Sequence, residues 1–164
     1  MTPPADLAQK LSLGLRRHAR AVTVISCTHA GQRYAMTATA MCEVSLEPPS
    51  LLICVNQNSR LFSALDKGVG FCVNILHRSH EDLSNLCAGK ASGEDRFLTG
   101  AWAESPDGIP YLQDAQTSII CLNAARLHHG THGIFVGDVT DVLIHGPVDP
   151  LIYVDGAYAA VLRG

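Results

Sequence analysis

Apolar positions recur along the chain at two different periods. Near the N-terminus Leu7, Leu11, Leu15 and Ala19 are spaced by four, with Lys10, Arg16 and Arg17 on other faces. This spacing predicts an amphipathic helix, for which Thr2, Pro3 and Pro4 make a suitable start. Gly14 weakens its middle by about 1 kcal/mol relative to alanine. The period then shortens. Residues 21–28 are rich in β-branched side chains and end at a turn over residues 29–33. Strand character returns at 34–45, 50–56, 70–76, 115–127 and 133–145, and more weakly at 151–154 and 158–162. Pro48 and Pro49 suit the start of a strand, where no ladder donor is lost. Residues 59–66, apolar at 61, 62 and 65, predict one short helix, and residues 79–88, with Leu83, Leu86 and Cys87 inward, another. The polar, turn-rich stretch 89–110 reads as a long surface excursion, a kind of segment that often carries function.

Seven or so strands of mostly consecutive, meander type and two or three helices predict a mainly β (α+β) fold, a closed antiparallel barrel, in a single domain over residues 1–164. The regular strand–helix alternation of a doubly wound sheet is missing, and no Gly-x-Gly-x-x-Gly follows a strand. Composition agrees with a globular domain: 47% of residues are hydrophobic and 16% charged. The longest strictly apolar run, Leu51 to Val55, is too short to span a membrane. Asp6, Lys10, Arg16, Arg17 and Arg20 interrupt any secretory core. A net charge of −3 without a basic stripe argues against a nucleic-acid partner. None of the six cysteines forms a Cys-x-x-Cys pair, so they read as buried free thiols in a reducing cytoplasm.

Three segments could carry chemistry. Thr37, Thr39 and Ser45 fall on one face of an extended stretch, with Met36, Ala38 and Ala40 on the other. A row of small hydroxyls leaves room for a flat ligand, and it equally describes a half-exposed strand. In Asn56-Gln-Asn-Ser-Arg60, Asn58 or Ser59 can cap the following helix, and Arg60 adds a fixed charge. The combination suits a phosphate, and equally a plain capped helix beside a solvated arginine. In His128-His-Gly-Thr-His132 the two outer histidines are four apart, but Gly130 and Gly133 disfavour a helix and no carboxylate or thiolate is near in sequence, so no metal site is expected. The sharper reading there is one histidine facing a ligand. Nucleophile elbow and Walker loop are both missing.

Taken in order, several motifs resemble the flavin reductase family, which supplies reduced flavin to two-component monooxygenases. They are Met36-Thr-Ala-Thr-Ala, Val44-Ser-Leu-Glu-Pro-Pro, Cys54-Val-Asn-Gln-Asn-Ser, Phe71-Cys-Val-Asn-Ile-Leu76, the run from Gly130 to Val139, and Pro150-Leu-Ile-Tyr153 with Gly156-Ala-Tyr158. The likeness covers about residues 15 to 160. It implies an FMN-binding split barrel, a homodimer with the flavin near the subunit interface, and reduction of FMN or FAD by NADH or NADPH. It implies that Met36, Thr37, Ala38, Thr39 and Ser45 line the isoalloxazine ring, and that Asn56, Ser59 and Arg60 hold the ribityl chain and phosphate. Asn74 would neighbour the flavin tail, Arg96 would make a second phosphate contact, and Cys54 and Tyr153 would complete the cofactor site. His132 corresponds to the family histidine beside the nicotinamide. Ala35 stands where the family often has glycine, Thr131 where it usually has an acid, and Glu47 where aspartate is commoner. A non-catalytic FMN carrier or redox sensor is the alternative, and a split barrel that oxidises its own substrate a third.

Overall fold

The computed structural model describes residues 5–162, so the helix start expected at Thr2, Pro3 and Pro4 lies outside the described residues. Helix α1 spans Ala5–Leu15. The strands are β1 Arg20–Ala21, β2 Thr23–His29, β3 Gln32–Ala38, β4 Met41–Leu46 and β5 Pro49–Asn56. Helix α2, Arg60–Leu65, leads to β6, Phe71–Ile75, and α3 covers Glu81–Asn85. The excursion contains β7 Trp102–Glu104 and runs into β8 Pro110–Leu112, and β9 Thr117–His129, β10 His132–Ile144, β11 Ile152–Val154 and β12 Ala157–Ala159 follow. No helix among the described residues is long and apolar enough to cross a membrane.

Seven strands form one antiparallel sheet in the order β3-β2-β6-β9-β10-β5-β4. This is not the meander the sequence predicts. Three local hairpins, β2–β3, β4–β5 and β9–β10, are joined by the non-local pairs β2–β6, β6–β9 and β10–β5. Periodicity locates strands but carries no information on which distant strand each one meets. Nor does the sheet close. β3 and β4 are its two edges, and the single extended stretch expected over 34–45 breaks at Thr39 and Ala40 between them. The barrel is therefore split, the form the resemblance implies.

Every strand of this sheet contributes to one interior cluster that includes Ile25, Ile53, Phe71, Cys121 and Phe135, with Met36 and Met41 packed against it. The sheet is rolled around these side chains, and α2 plugs one end with Leu61, Ala64 and Leu65. A second cluster lies on the outer face of β2 and β6, where Val22, Val24 and Leu76 meet Leu83, Phe97 and Leu112. β2 is thus covered on both faces, which is why residues 21–28 read as a near-continuous β-branched run rather than an alternation. The excursion covers this second cluster. Trp102 stacks on Phe97 at 4.8 Å between ring centroids and donates its indole N–H to the Thr99 carbonyl. All six cysteines are free, and Cys27, Cys72, Cys87 and Cys121 are buried as expected, whereas Cys42 is exposed. Burial pushes the Cys27 thiol up to about 12 and that of Cys87 to about 11.

Candidate functional site

The edge strand β3 is the axis of the candidate site. A two-residue turn, Ala30 and Gly31, both at positive φ, starts it. Its inner face, Met36 and Ala38, goes to the barrel core. Its other face carries Ala35, which is buried, and Thr37, which is half-buried. Thr37, Ala38 and Thr39 line a cleft of about 410 Å³ together with Tyr153 and Tyr158. The Thr37 hydroxyl donates to the Ser84 carbonyl at 2.6 Å, so only its acceptor lone pairs remain for a ligand. The Ser84 hydroxyl meets the Tyr158 hydroxyl at 2.8 Å, and Tyr158 packs edge-on to Tyr153 at 5.5 Å. Thr39 has no side-chain partner among the described residues. It borders this cleft and also a neighbouring one of about 360 Å³ that contains Cys54. Ser84 and Tyr158 were missed as site residues. Tyr158 falls in the Gly156-Ala-Tyr158 motif, whereas nothing in the sequence singles out Ser84.

At the other end of β3 a cleft of about 270 Å³ holds Arg60 and Arg96 against Arg33 and Ala35. Ser59 is the N-cap of α2, its hydroxyl accepting from the Phe62 N–H at 3.1 Å, and this sets Arg60 as the first helical residue. The far end of α2 is tied to β9. Asn123 donates to the Leu65 carbonyl at 2.9 Å, and Asp66 meets His128 at 3.0 Å and Arg126 at 3.4 Å. Arg60 itself is exposed and has no partner among the described residues. Arg96 is half-buried. It donates from Nε to the Ala91 carbonyl at 2.9 Å and from one Nη to the Ala35 carbonyl, while its positive charge meets no carboxylate. Two uncompensated guanidinium groups in one cleft are a donor set suited to a phosphate. Ala35 and Thr37 are two residues apart, about 7 Å along a strand. The hydroxyl-bearing cleft and the cationic cleft therefore share one sheet edge.

His132 opens β10 at the mouth of the β9–β10 hairpin and is exposed, as the sequence predicts. Gly130, at φ 57°, makes the two-residue turn with Thr131. The Thr131 hydroxyl lies 2.9 Å from His132 Nδ1, so the threonine that replaces the family acid still contacts the imidazole. Asn56 sits beside His132 in register, and Gln57 fastens the two loops through the Thr131 carbonyl at 2.9 Å. Gly133 does not bring the backbone close to a ligand. A Cβ there would lie 2.6 Å from the Phe62 ring, so its bareness serves packing. His128 and His132 end on opposite strands, and no group of three metal-binding side chains occurs among the described residues. His132 lines neither β3 cleft within one chain.

Three expected cofactor residues are placed elsewhere. Ser45 is not in line with Thr37 and Thr39: it lies on β4 beyond a bulge and pairs with Ser50. That is six residues, roughly 20 Å, from the Asn56 end of β5. Its hydroxyl accepts from the Glu47 N–H at 2.9 Å. Met36 points into the core, so only its backbone edge faces the site. Asn74 is fully buried. Its amide donates to the Val24 carbonyl at 2.9 Å and the Ser26 hydroxyl at 3.0 Å. Its carbonyl accepts from the Leu112 N–H at 2.8 Å and the Ser118 hydroxyl at 3.0 Å. A saturated, buried amide is unavailable to a flavin tail.

The fold is thus a split barrel with a hydroxyl-bearing cleft and a cationic cleft on one edge strand. The flavin reductase like domain matches residues 15–162. The reductase component of an FADH2-dependent resorcinol hydroxylase from a Rhizobium species is 37% identical over 159 residues, 96% of this chain and 89% of that protein. An NADH-dependent FMN reductase, RutF, from Pseudomonas syringae is 36% identical over 140 residues, covering 85% and 79%. The solved structure of an NADH:FAD oxidoreductase from Streptomyces globisporus superposes with a TM-score of 0.89 at 25% identity, covering 99% and 98%. The chain belongs to the flavin reductase family.

The Asn74 placement has a direct test. Asn74→Ala strands several buried polar groups, each costing about 1–3 kcal/mol. Its midpoint in urea is expected to fall sharply, while FMN affinity of the folded protein stays unchanged. A variant of wild-type stability with weakened FMN binding would return Asn74 to the cofactor site.

Proposed function

We propose that this chain is an NAD(P)H:flavin oxidoreductase that reduces FMN or FAD and passes reduced flavin to a partner monooxygenase. The observation that carries the reading is the pair of uncompensated guanidiniums, Arg60 and Arg96, in a cleft on the strand that also presents Thr37 and Thr39. In this reading Thr37, Ala38, Thr39 and Tyr153 take the isoalloxazine, Cys54 borders it, and Asn56, Ser59, Arg60 and Arg96 take the ribityl phosphate. When bound, the cofactors supply the chemistry, a hydride passing from nicotinamide C4 to flavin N5. The protein's task is to stack and orient two rings. This explains why no acid–base dyad is needed. His132, held by Thr131, positions the nicotinamide. The relatives named above weigh against the carrier that the residues alone leave open. The chain acts as one domain, in the cytoplasm.

The homodimer belongs to the same proposal. An antiparallel sheet usually shows one polar face to water. Here the outer face of β9, β10, β5 and β4 carries Leu127 beside Ile134, and Val136 beside Leu52 and Cys42, in register, with Leu122 further along beside Asp138. Leu122 and Leu127 are 55% and 60% exposed. Of the apolar run Ile119 to Leu122 only Leu122 is exposed, so the exposed apolar surface lies further along the hairpin. The Cys54 cleft opens on this face, so a second copy seated there would border the cofactor.

NADH with excess free FMN or FAD is expected to give many turnovers per protein, followed at the nicotinamide absorbance band. Flavin that stays oxidised would return the carrier. Arg60→Ala is expected to cost about 1.5–3 kcal/mol, roughly 10–100-fold in FMN affinity, with riboflavin hardly affected. Equal losses for both ligands would mean that Arg60 acts through folding. His132→Ala is expected to bind flavin within about threefold of wild type and to lose about 10-fold in kcat/KM for the nicotinamide, ~1.4 kcal/mol. His129→Ala should be close to silent, and the reverse pattern would overturn the assignment. Sedimentation at micromolar protein is expected to give a dimer, and a monomeric mass would remove the dimer from the proposal.

A further inference from the structure

The cationic cleft has a third arginine that the reading above does not use. Arg33, at the start of β3, grips Glu94 in the excursion with two donors, Nε to one carboxylate oxygen at 3.2 Å and Nη2 to the same oxygen at 2.5 Å. The pair is not a pair of loose surface chains. The Arg33 guanidinium lies 4.2 Å from the centroid of the Phe97 ring, and Phe97 is buried and stacked on Trp102. The hydrogen bonds from Arg33 hold the Glu94 carboxyl below the usual carboxylate range. Both residues line the cleft that contains Arg60 and Arg96.

The charges in this cleft divide in two. Arg33 is neutralised by Glu94, whereas Arg60 and Arg96 meet no carboxylate. Two free positive charges match one terminal phosphomonoester. The cleft, at about 270 Å³, falls below the ~300–1,000 Å³ of pockets that enclose drug-sized ligands. That volume matches a phosphate and the end of a ribityl chain, and an added nucleoside monophosphate would extend past them toward the cleft's rim. Because Glu94 and Arg33 line the same cleft, a second phosphate beside the first would meet the Glu94 carboxylate and a guanidinium already occupied.

Resting on the flavin-phosphate reading of Arg60 and Arg96, we propose that the Arg33–Glu94 pair is a latch across the cleft that selects FMN over FAD. Specificity here is a difference of affinities set by a repulsive element, the Glu94 carboxylate, as well as by the attractive arginines. Removing that carboxylate both lifts the repulsion and frees Arg33, with its five donors, for a second phosphate.

Flavin-fluorescence titrations of wild type, Glu94→Gln and Glu94→Ala with FMN, FAD and riboflavin test the latch. Wild type is expected to bind FMN about 10-fold more tightly than FAD, and both variants to shift the ratio about fivefold or more toward FAD. Riboflavin, which has no phosphate, reports the integrity of the ring site. Wild type that binds FAD as tightly as FMN, or an unchanged ratio in both variants, overturns the latch. Arg60→Ala in the same assay separates the two claims. If it weakens FMN against riboflavin while the Glu94 variants leave the ratio unchanged, the latch alone fails. If Arg60→Ala leaves FMN and riboflavin equally bound, the phosphate reading fails and the latch with it.

Discussion

A single buried amide organises this molecule. Asn74 projects from β6 into the second cluster and is met by β2, by β8 and by β9 through Val24, Ser26, Leu112 and Ser118. A polar group in that position is costly unless every bond is made, so it admits one arrangement of its neighbours. β2 and β6 are held in register on the inside of the excursion. With them fixed, β3 must lie at the edge, next to β2 and nothing else. An edge strand with no further strand beside it is where a ligand can approach the sheet.

That edge then does two jobs with alternate residues. Met36 and Ala38 seal the barrel, while Ala35 and Thr37 face the clefts and the second cluster. The break at Thr39 and Ala40 lets the chain cross from one edge of the split barrel to the other, leaving the Thr39 hydroxyl unspent. Helix α2 brings Arg60 to the same edge because Ser59 fixes its start and Asn123 anchors its end. The excursion supplies Arg96, pinned to the carbonyls of Ala91 and Ala35. Ala35 is no obstacle in place of the family glycine: its methyl is packed in the second cluster.

Much of this was legible in the sequence. Strand and helix locations follow from periodicity, and the hydroxyls at 37 and 39 and the cap at Ser59 follow from local residue type. What was hidden is non-local. Three hairpins and a meander have the same periodicity, so the strand order was misread. The odd-position rule that put Ser45 with Thr37 holds only inside one strand, and a break and a bulge intervene. The resemblance puts Asn74, in an apolar strand, and Arg96, in the polar excursion, alike beside the cofactor. Only packing separates the saturated amide from the arginine with charge to spare.

The close approach of Gly133 to Phe62 links parts of the molecule that share no ligand contact. Phe62 is the third residue of α2, two after Arg60, and its ring lies against the backbone immediately following His132. Helix and hairpin tip are geared together like two teeth. A methyl group inserted at position 133 would push the helix rather than the solvent-exposed turn. Position 133 is therefore closed to a side chain for a reason of packing, since a side chain there would move the arginine at the opposite end of the gear.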